Sequence, residues 1–333
     1  MVFQVQESQI LPAFAAMHWD VTRSTQPKGC VFEVAIRLFV QVGHVVPSQY
    51  ESLCRRYDIM RIKCVDFRNR PDLARKDINQ WTEERTHGRI RDVIPMGIVD
   101  RDTSLLLLCA SYTKLHFLHP FDKRKTVWCP FYLPVEAPQI QMMYQRCHLK
   151  LAFQAKLDCD ILEMPLSNVH IKLYILLPRK SDGVGRMEMK LSRSVLESVL
   201  QGKMREELID LYLPKFRYEL GIICWDALAK LGIKNLYSSS KADFSGLGGS
   251  GNLFLSRAFH HVCFELDEGH SDALATSVTD SAPTESDDTK QQIPKVFRAD
   301  HPFAFFLMDE RTGAILFIGR VVRPLQLTGV EVA

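Results

Sequence analysis

The stretch VFRADHPFAFFLMDERTGAILFIGRVVRP, residues 296–324, is the most structured passage of the chain. It reads as two apolar strands joined by a tight turn at Asp309–Gly313, where a Gly and charged residues interrupt the apolar pattern. Two such strands side by side need a larger sheet and a packed layer to cover them, so the passage predicts a sheet-rich domain rather than a helical bundle.

Working outward, the same mixture continues. CDILEMPLSNVHIKLYILLP, residues 159–178, reads as two strands about a Ser-Asn turn, the second stopped by Pro178. TSLLLLCASY is a short apolar run that suits a strand buried on both faces. DLYLPKFRYEL alternates like a strand, and so does NLFLSRAFHHVCFELDE. PDLARKDINQWTEERTHG is amphipathic: Ala74, Ile78 and Trp81 recur at helical spacing and Gly88 is a natural stop. SRSVLESVLQGKMREEL and CWDALAKLGI are also expected to be helices, the latter ending near Gly232. The sum is an α+β, multi-sheet architecture without internal repeats.

Composition sets wide bounds. The 333 residues are 46% hydrophobic and 24% charged, with a net charge of +3, which points to no particular charged partner. Nine cysteines, an odd number with no CxxC pair, suit buried free thiols in a reducing compartment better than a zinc ribbon or a thioredoxin-like redox pair. No stretch is long and apolar enough to cross a membrane, and neither a signal-peptide pattern nor an Asn-x-Ser/Thr sequon is present.

Catalytic motifs are near misses. GLGGSG, residues 246–251, matches a dinucleotide fingerprint in letters. It is preceded by a Ser-rich loop and followed by a strand, where a helix N-terminus would have to meet the phosphates. His260 and His261 are neighbours in a strand and point to opposite faces, so they cannot share one ligand set. Arg55, Arg56, Arg61 and Lys63 form a basic run; a solvated charged face is the plain expectation and a polyanion contact the functional one.

Taken with LYLPKF, LAKLGIKNLY, KADFSG, LFLSRAFHHV and KLYILLP in order and spacing, residues 296–324 resemble the C-terminal signature of the serpins. DFRNRPDLARKDINQWTEERTHGRIRDVI resembles the helix that crosses that family's main sheet, and the similarity spans about residues 30–324. The resemblance implies the serpin fold over a single domain, residues 1–333, with a reactive loop at about 268–296. It also implies a suicide-substrate mechanism. A serine protease, with a cysteine protease as the alternative, attacks the loop and forms an acyl-enzyme; the cut loop then inserts into the main sheet and distorts the protease.

The loop's hinge is where the residues can be tested against that mechanism. With His260 as the family's strand His, Glu268 falls at the start of the hinge. Ser271, Ala273, Ala275 and Ser277 then fall on the face that must enter a packed core. All four are small. The opposite parity would bury His270 and Asp272, at several kcal/mol for the unpaired carboxylate alone. Gly269 stands one place early for the family register. Counting forward from Glu268 puts the scissile bond at Thr284-Glu285. Counting back from Phe297 puts it around Asp288 to Lys290, with Lys290-Gln291 the runner-up.

Three departures stand against this pattern. The family's opening helices have no counterpart in the sequence, so the expected fold lacks them. In LLLLCASYTKLHFLHPF, Cys109 stands where an Asn is expected to bond the strand His, here His260, in the region that opens for the loop. Phe117 replaces a Trp and Leu115 a Gly. The expectation is therefore an inhibitor of serine proteases, not an enzyme, with a non-inhibitory serpin (chaperone, carrier or inactive truncated form) as the alternative. It is expected to act as a monomer, without cofactor, metal, nucleic acid or membrane. The location expected from the chain as it stands is cytoplasmic, and extracellular if a leader has been lost with a truncated start.

Overall fold

The protein's structure, a computed structural model, describes residues 12–13, 15–16, 30–57, 60–168, 170–192, 194–197, 202, 204–248, 253–269 and 293–324. In chain order the elements that matter begin with β1 (Val31–Gln41), α1 (Ser48–Tyr57), β2 (Arg61–Val65), α2 (Pro71–Arg85) and β3 (Leu105–Lys114). Next come β4 (Val127–Pro130), β5 (Gln139–Gln154), β6 (Cys159–Pro165), β7 (Ile171–Pro178), α3 (Val184–Lys190) and β8 (Arg205–Pro214). The last are β9 (Phe216–Ile223), α4 (Trp225–Lys230), β10 (Arg257–Leu266), β11 (Lys295–Arg298), β12 (Phe303–Asp309) and β13 (Ala314–Val321).

Two sheets organise them. The first has five strands in the order β2-β1-β3-β10-β9. Its neighbours β3 and β10 run parallel: Ser256 N donates to the Leu105 carbonyl near their starts, and Leu115 N to the Glu265 carbonyl near their ends. The second sheet runs β11-β8-β5-β6-β7-β12-β13, with β4 paired to β5. Here β12, every residue of it buried, lies between β7 and β13 with antiparallel register on both sides. A strand covered on both faces and paired on both edges has no room for a polar position until its last residue, Asp309, whose carboxylate is taken up by Arg311.

The chain divides into two compact units, one of Val31–Thr113 with Tyr218–Phe264, the other of Lys114–Arg217 with the described residues from Glu265 onward. In the first, α2 lays Ala74, Ile78 and Trp81 onto β1 and β3, with Phe39 and Trp81 edge-to-face at 5.6 Å. Pro71 opens this helix, and Gly88 (φ +76), just beyond its end, donates to the Glu83 carbonyl. In the second unit, α3 places Met187 against Tyr174, Leu176 and Phe306 of the large sheet.

The predicted strands at 159–178, the predicted helix at 71–85 and the turn at 309–313 all form. Two expectations are corrected. The helix expected to run through MREEL stops short, and Arg205–Glu207 begin β8 instead, because Leu149, Lys150 and Leu151 of β5 supply backbone partners that outweigh the helical propensity of Arg and Glu. DLYLPKFRYEL is two strands rather than one: Pro214 ends β8, and β9 begins at Phe216 in the other sheet.

Candidate functional site at the loop base

β10 ends at Leu266, and the chain then half-buries the carboxylate of Asp267 and buries that of Glu268. Glu268 is only 3% exposed. Its Oε2 accepts from Lys215 Nζ at 2.9 Å, its Oε1 from Thr126 Oγ1 at 3.0 Å, and its carbonyl from Phe121 N at 3.1 Å. Burial pushes the carboxyl up, but Lys215 and the hydrogen bonds reverse this and hold it below the usual glutamate range. Gly269 follows with φ +70, its N donating to Asp267 Oδ1 at 2.8 Å. A Cβ there would stand 3.1 Å from Phe117 N and 3.3 Å from Phe117 Cδ2, so both the backbone angle and the space call for glycine.

A second group ties β3 to β10. Lys114 Nζ lies 2.9 Å from Glu265 Oε1 and 2.7 Å from Asp267 Oδ2. Burial alone would lower the Lys114 pKa; the two carboxylates overcome it and leave it raised. Asp267 shows the converse, pushed up by burial and brought below its ordinary value chiefly by Lys114. Lys114, Lys215, Thr126, Glu265 and Asp267 were not singled out by sequence. The available signal was ELDE, three acids in four residues at the end of an apolar strand, which asks for buried cations from elsewhere.

In the other unit, Cys109 lies half-buried in mid-β3, its thiol pushed up to about 11 by burial, with Cys224 adding to the shift. His260 is lowered, by burial first and then by His261. His261 Nε2 meets Glu219 Oε1 at 3.1 Å. Among the described residues no hydrogen bond joins Cys109 to His260. Leu115 and Phe117, at the other departures from the family pattern, are buried, and Phe117 packs edge-to-face on Phe121 at 5.1 Å.

Ser271, Ala273, Ala275, Ser277, Thr284, Glu285, Lys290 and Gln291 lie outside the described residues. Of the basic run, Arg55 is paired with Glu51 at 2.8 Å on α1, and Arg56 lies over the Tyr57 ring. Arg61 and Lys63 are on β2, opposite Arg37 and Phe39 of β1. The run is thus divided between a helix and a strand, and Arg37, from a distant part of the sequence, joins Arg61.

The chain matches the family model Serpin (serine protease inhibitor) over residues 2–324, a wider span than the motifs at 30–324. It is 35% identical over 302 residues to leukocyte elastase inhibitor A of Mus musculus, which covers 88% of this chain and 77% of that protein. It is 30% identical over 300 residues to plasminogen activator inhibitor 2 of Homo sapiens, covering 88% and 71%. Among solved structures, uncleaved ovalbumin matches with a TM-score of 0.84 at 26% identity, covering 97% of this chain and 84% of that one. Serpin48, a highly specific serpin of the insect Tenebrio molitor, matches at 0.82 and 26%, covering 97% and 83%. The negative expected from the implied suicide-substrate loop, that the chain is not an enzyme, is corrected to a positive statement: the relatives are named as inhibitors, and the family's activity is protease inhibition.

Proposed function

The chain belongs to the serpin family, and on that premise we propose that it traps a serine protease as a suicide substrate, residues 1–333 acting as one inhibitory domain. The observation that carries this reading is the pairing of β3 with β10 as parallel neighbours in a five-stranded sheet, with β10 leading directly into the hinge. A strand added between them would run antiparallel to both and continue from β10 by folding back. The chain from Gly269 onward has the small-residue alternation that such a strand requires, with Ser271, Ala273, Ala275 and Ser277 facing inward. Attack on the loop by the protease's serine forms an ester to the residue before the scissile bond and releases the new amino terminus. Insertion then carries the acyl-enzyme away before water can hydrolyse the ester. The names of the relatives, an elastase inhibitor and a plasminogen activator inhibitor, support a serine protease as the partner.

The second reading, a non-inhibitory serpin, is favoured by Cys109. A half-buried thiol there offers His260 no amide to bond, and a sheet that opens poorly would let the acyl-enzyme hydrolyse first. Mixing the chain with trypsin-, chymotrypsin- and elastase-like proteases separates the two. The inhibitory reading predicts an SDS-stable covalent complex and a released fragment beginning at Glu285, or at Gln291 for the runner-up bond. Cleavage with no complex would establish the non-inhibitory one.

A further inference from the structure

The α2 face of β1 and β2 carries a cluster of cations that the inhibitory mechanism does not use. Arg37 of β1 lays its guanidinium 4.2 Å above the ring of Trp81, which is itself 8% exposed. Arg61 of β2 is the register partner of Arg37. Arg85 lies four residues after Trp81 on α2, one turn along the same helix face. Arg61 and Arg85 are exposed, whereas Arg37 is half-buried and its Nε is enclosed without an acceptor. Burial first, then Arg85 and Arg61, depress the Arg37 pKa. The acid on this side of β1, Glu33, meets His87 at 2.9 Å and leaves its other oxygen without a partner, so it does not compensate Arg37. Among the described residues no ion pair to Arg37 is formed.

Arg37 itself, half-buried beside two like charges and with no ion pair of its own among the described residues, is placed unfavourably unless an anion is supplied from outside. Guanidinium groups meet tetrahedral oxyanions with paired N–H donors, and an aromatic ring beneath one of them fixes its plane. We propose that Arg37, Arg61 and Arg85 form a binding site for a compact, multiply charged oxyanion, a phosphate or sulfate ester. The bound anion draws α2 onto β1 and β2 and stabilises that part of the fold. This site differs from a polyanion track along Arg55 and Arg56, because those side chains sit on α1 and not around the Arg37–Trp81 contact.

The test is titration of the whole chain with inorganic pyrophosphate and, separately, with inorganic sulfate, each against sodium chloride at equal ionic strength. Binding is read by calorimetry and by the change in tryptophan emission that W81F removes, Trp81 being the ring beneath Arg37. At about 100 times its Kd the anion raises the unfolding midpoint by roughly 4 °C. R61A and R85A, both at exposed positions, each weaken binding about tenfold or more. R37K, which keeps the charge and loses the planar fork, also weakens it, while R55A/R56A leaves it unchanged. Tighter binding of pyrophosphate identifies a phosphate ester, and tighter binding of sulfate a sulfate ester. No binding beyond the sodium chloride control, or binding that survives R61A and R85A, overturns the proposal.

Discussion

Lys215 and Glu268, 53 residues apart in sequence, meet at 2.9 Å and close the end of β10 where the hinge begins. Because Glu268 is buried, the pair is not equivalent to a surface ion pair. Removing Lys215 leaves an uncompensated carboxylate, and K215A is expected to cost about 3 kcal/mol in denaturant unfolding. The double variant K215M/E268L should recover most of that loss, since neither charge then remains to be desolvated. A loss in the double variant as large as in K215A would show that shape, not charge, is what matters at this position.

Acid should loosen the same place. The folded-state pKa of Glu268 lies below its ordinary 4.5, as that of Asp267 lies below 3.8. A depressed carboxyl contributes stability that is fully present above the ordinary value and is lost as pH falls through the folded one. Unfolding free energy measured from pH 6 downward should therefore begin to fall near the ordinary carboxylate values, and E268Q should make that fall shallower.

His301 carries the opposite sign. Burial lowers its pKa, but Asp300 at 3.0 Å and the Pro178 carbonyl at 2.6 Å overcome this and raise it above 6.5. Its contribution is complete below 6.5 and disappears as pH rises through the elevated value. Stability of the wild-type chain should drop across that window, and H301N should flatten the drop. An unchanged slope in H301N would remove His301 as its source.

Gly269 is expected to resist replacement. With φ at +70 and Phe117 against the missing Cβ, G269A should lower stability by roughly 1–3 kcal/mol. Thermal unfolding measures this directly. A neutral G269A would mean that the loop base readily takes another backbone conformation.

The face of the hinge can be tested by parity. A273D places a carboxylate on the inward face, and the covalent complex should be lost; L274D places it outward, and the complex should persist. Equal effects from the two variants would refute insertion in this register.

Cys109 gives a reporter. With its thiol pushed up to about 11, it should resist alkylation at pH 8 in the native chain, while exposed Cys64 reacts. If β3 and β10 separate during inhibition, Cys109 should become reactive while the loop inserts and be protected again in the finished complex, as read by pulsed alkylation and mass spectrometry of its peptide.

Much of this fold was legible because its signals are local. Ala74, Ile78 and Trp81 repeat at helical spacing. The apolar runs around Asp309–Gly313 are interrupted by turn chemistry. Local signals failed where tertiary partners overrode them, as in Arg205–Glu207, drawn from an expected helix into β8 by its pairing with β5.

The family and the sheet-rich class thus followed from the sequence by itself, because periodicity and motif order are properties of neighbouring residues. The tertiary structure alone decided which charges compensate one another. Lys114 reaches Glu265 across 151 residues, Lys215 reaches Glu268, and Arg37 meets Arg61 and Trp81 instead of an acid. Such pairs leave no periodic trace, because burial and strand register bring them together only once the sheets have formed.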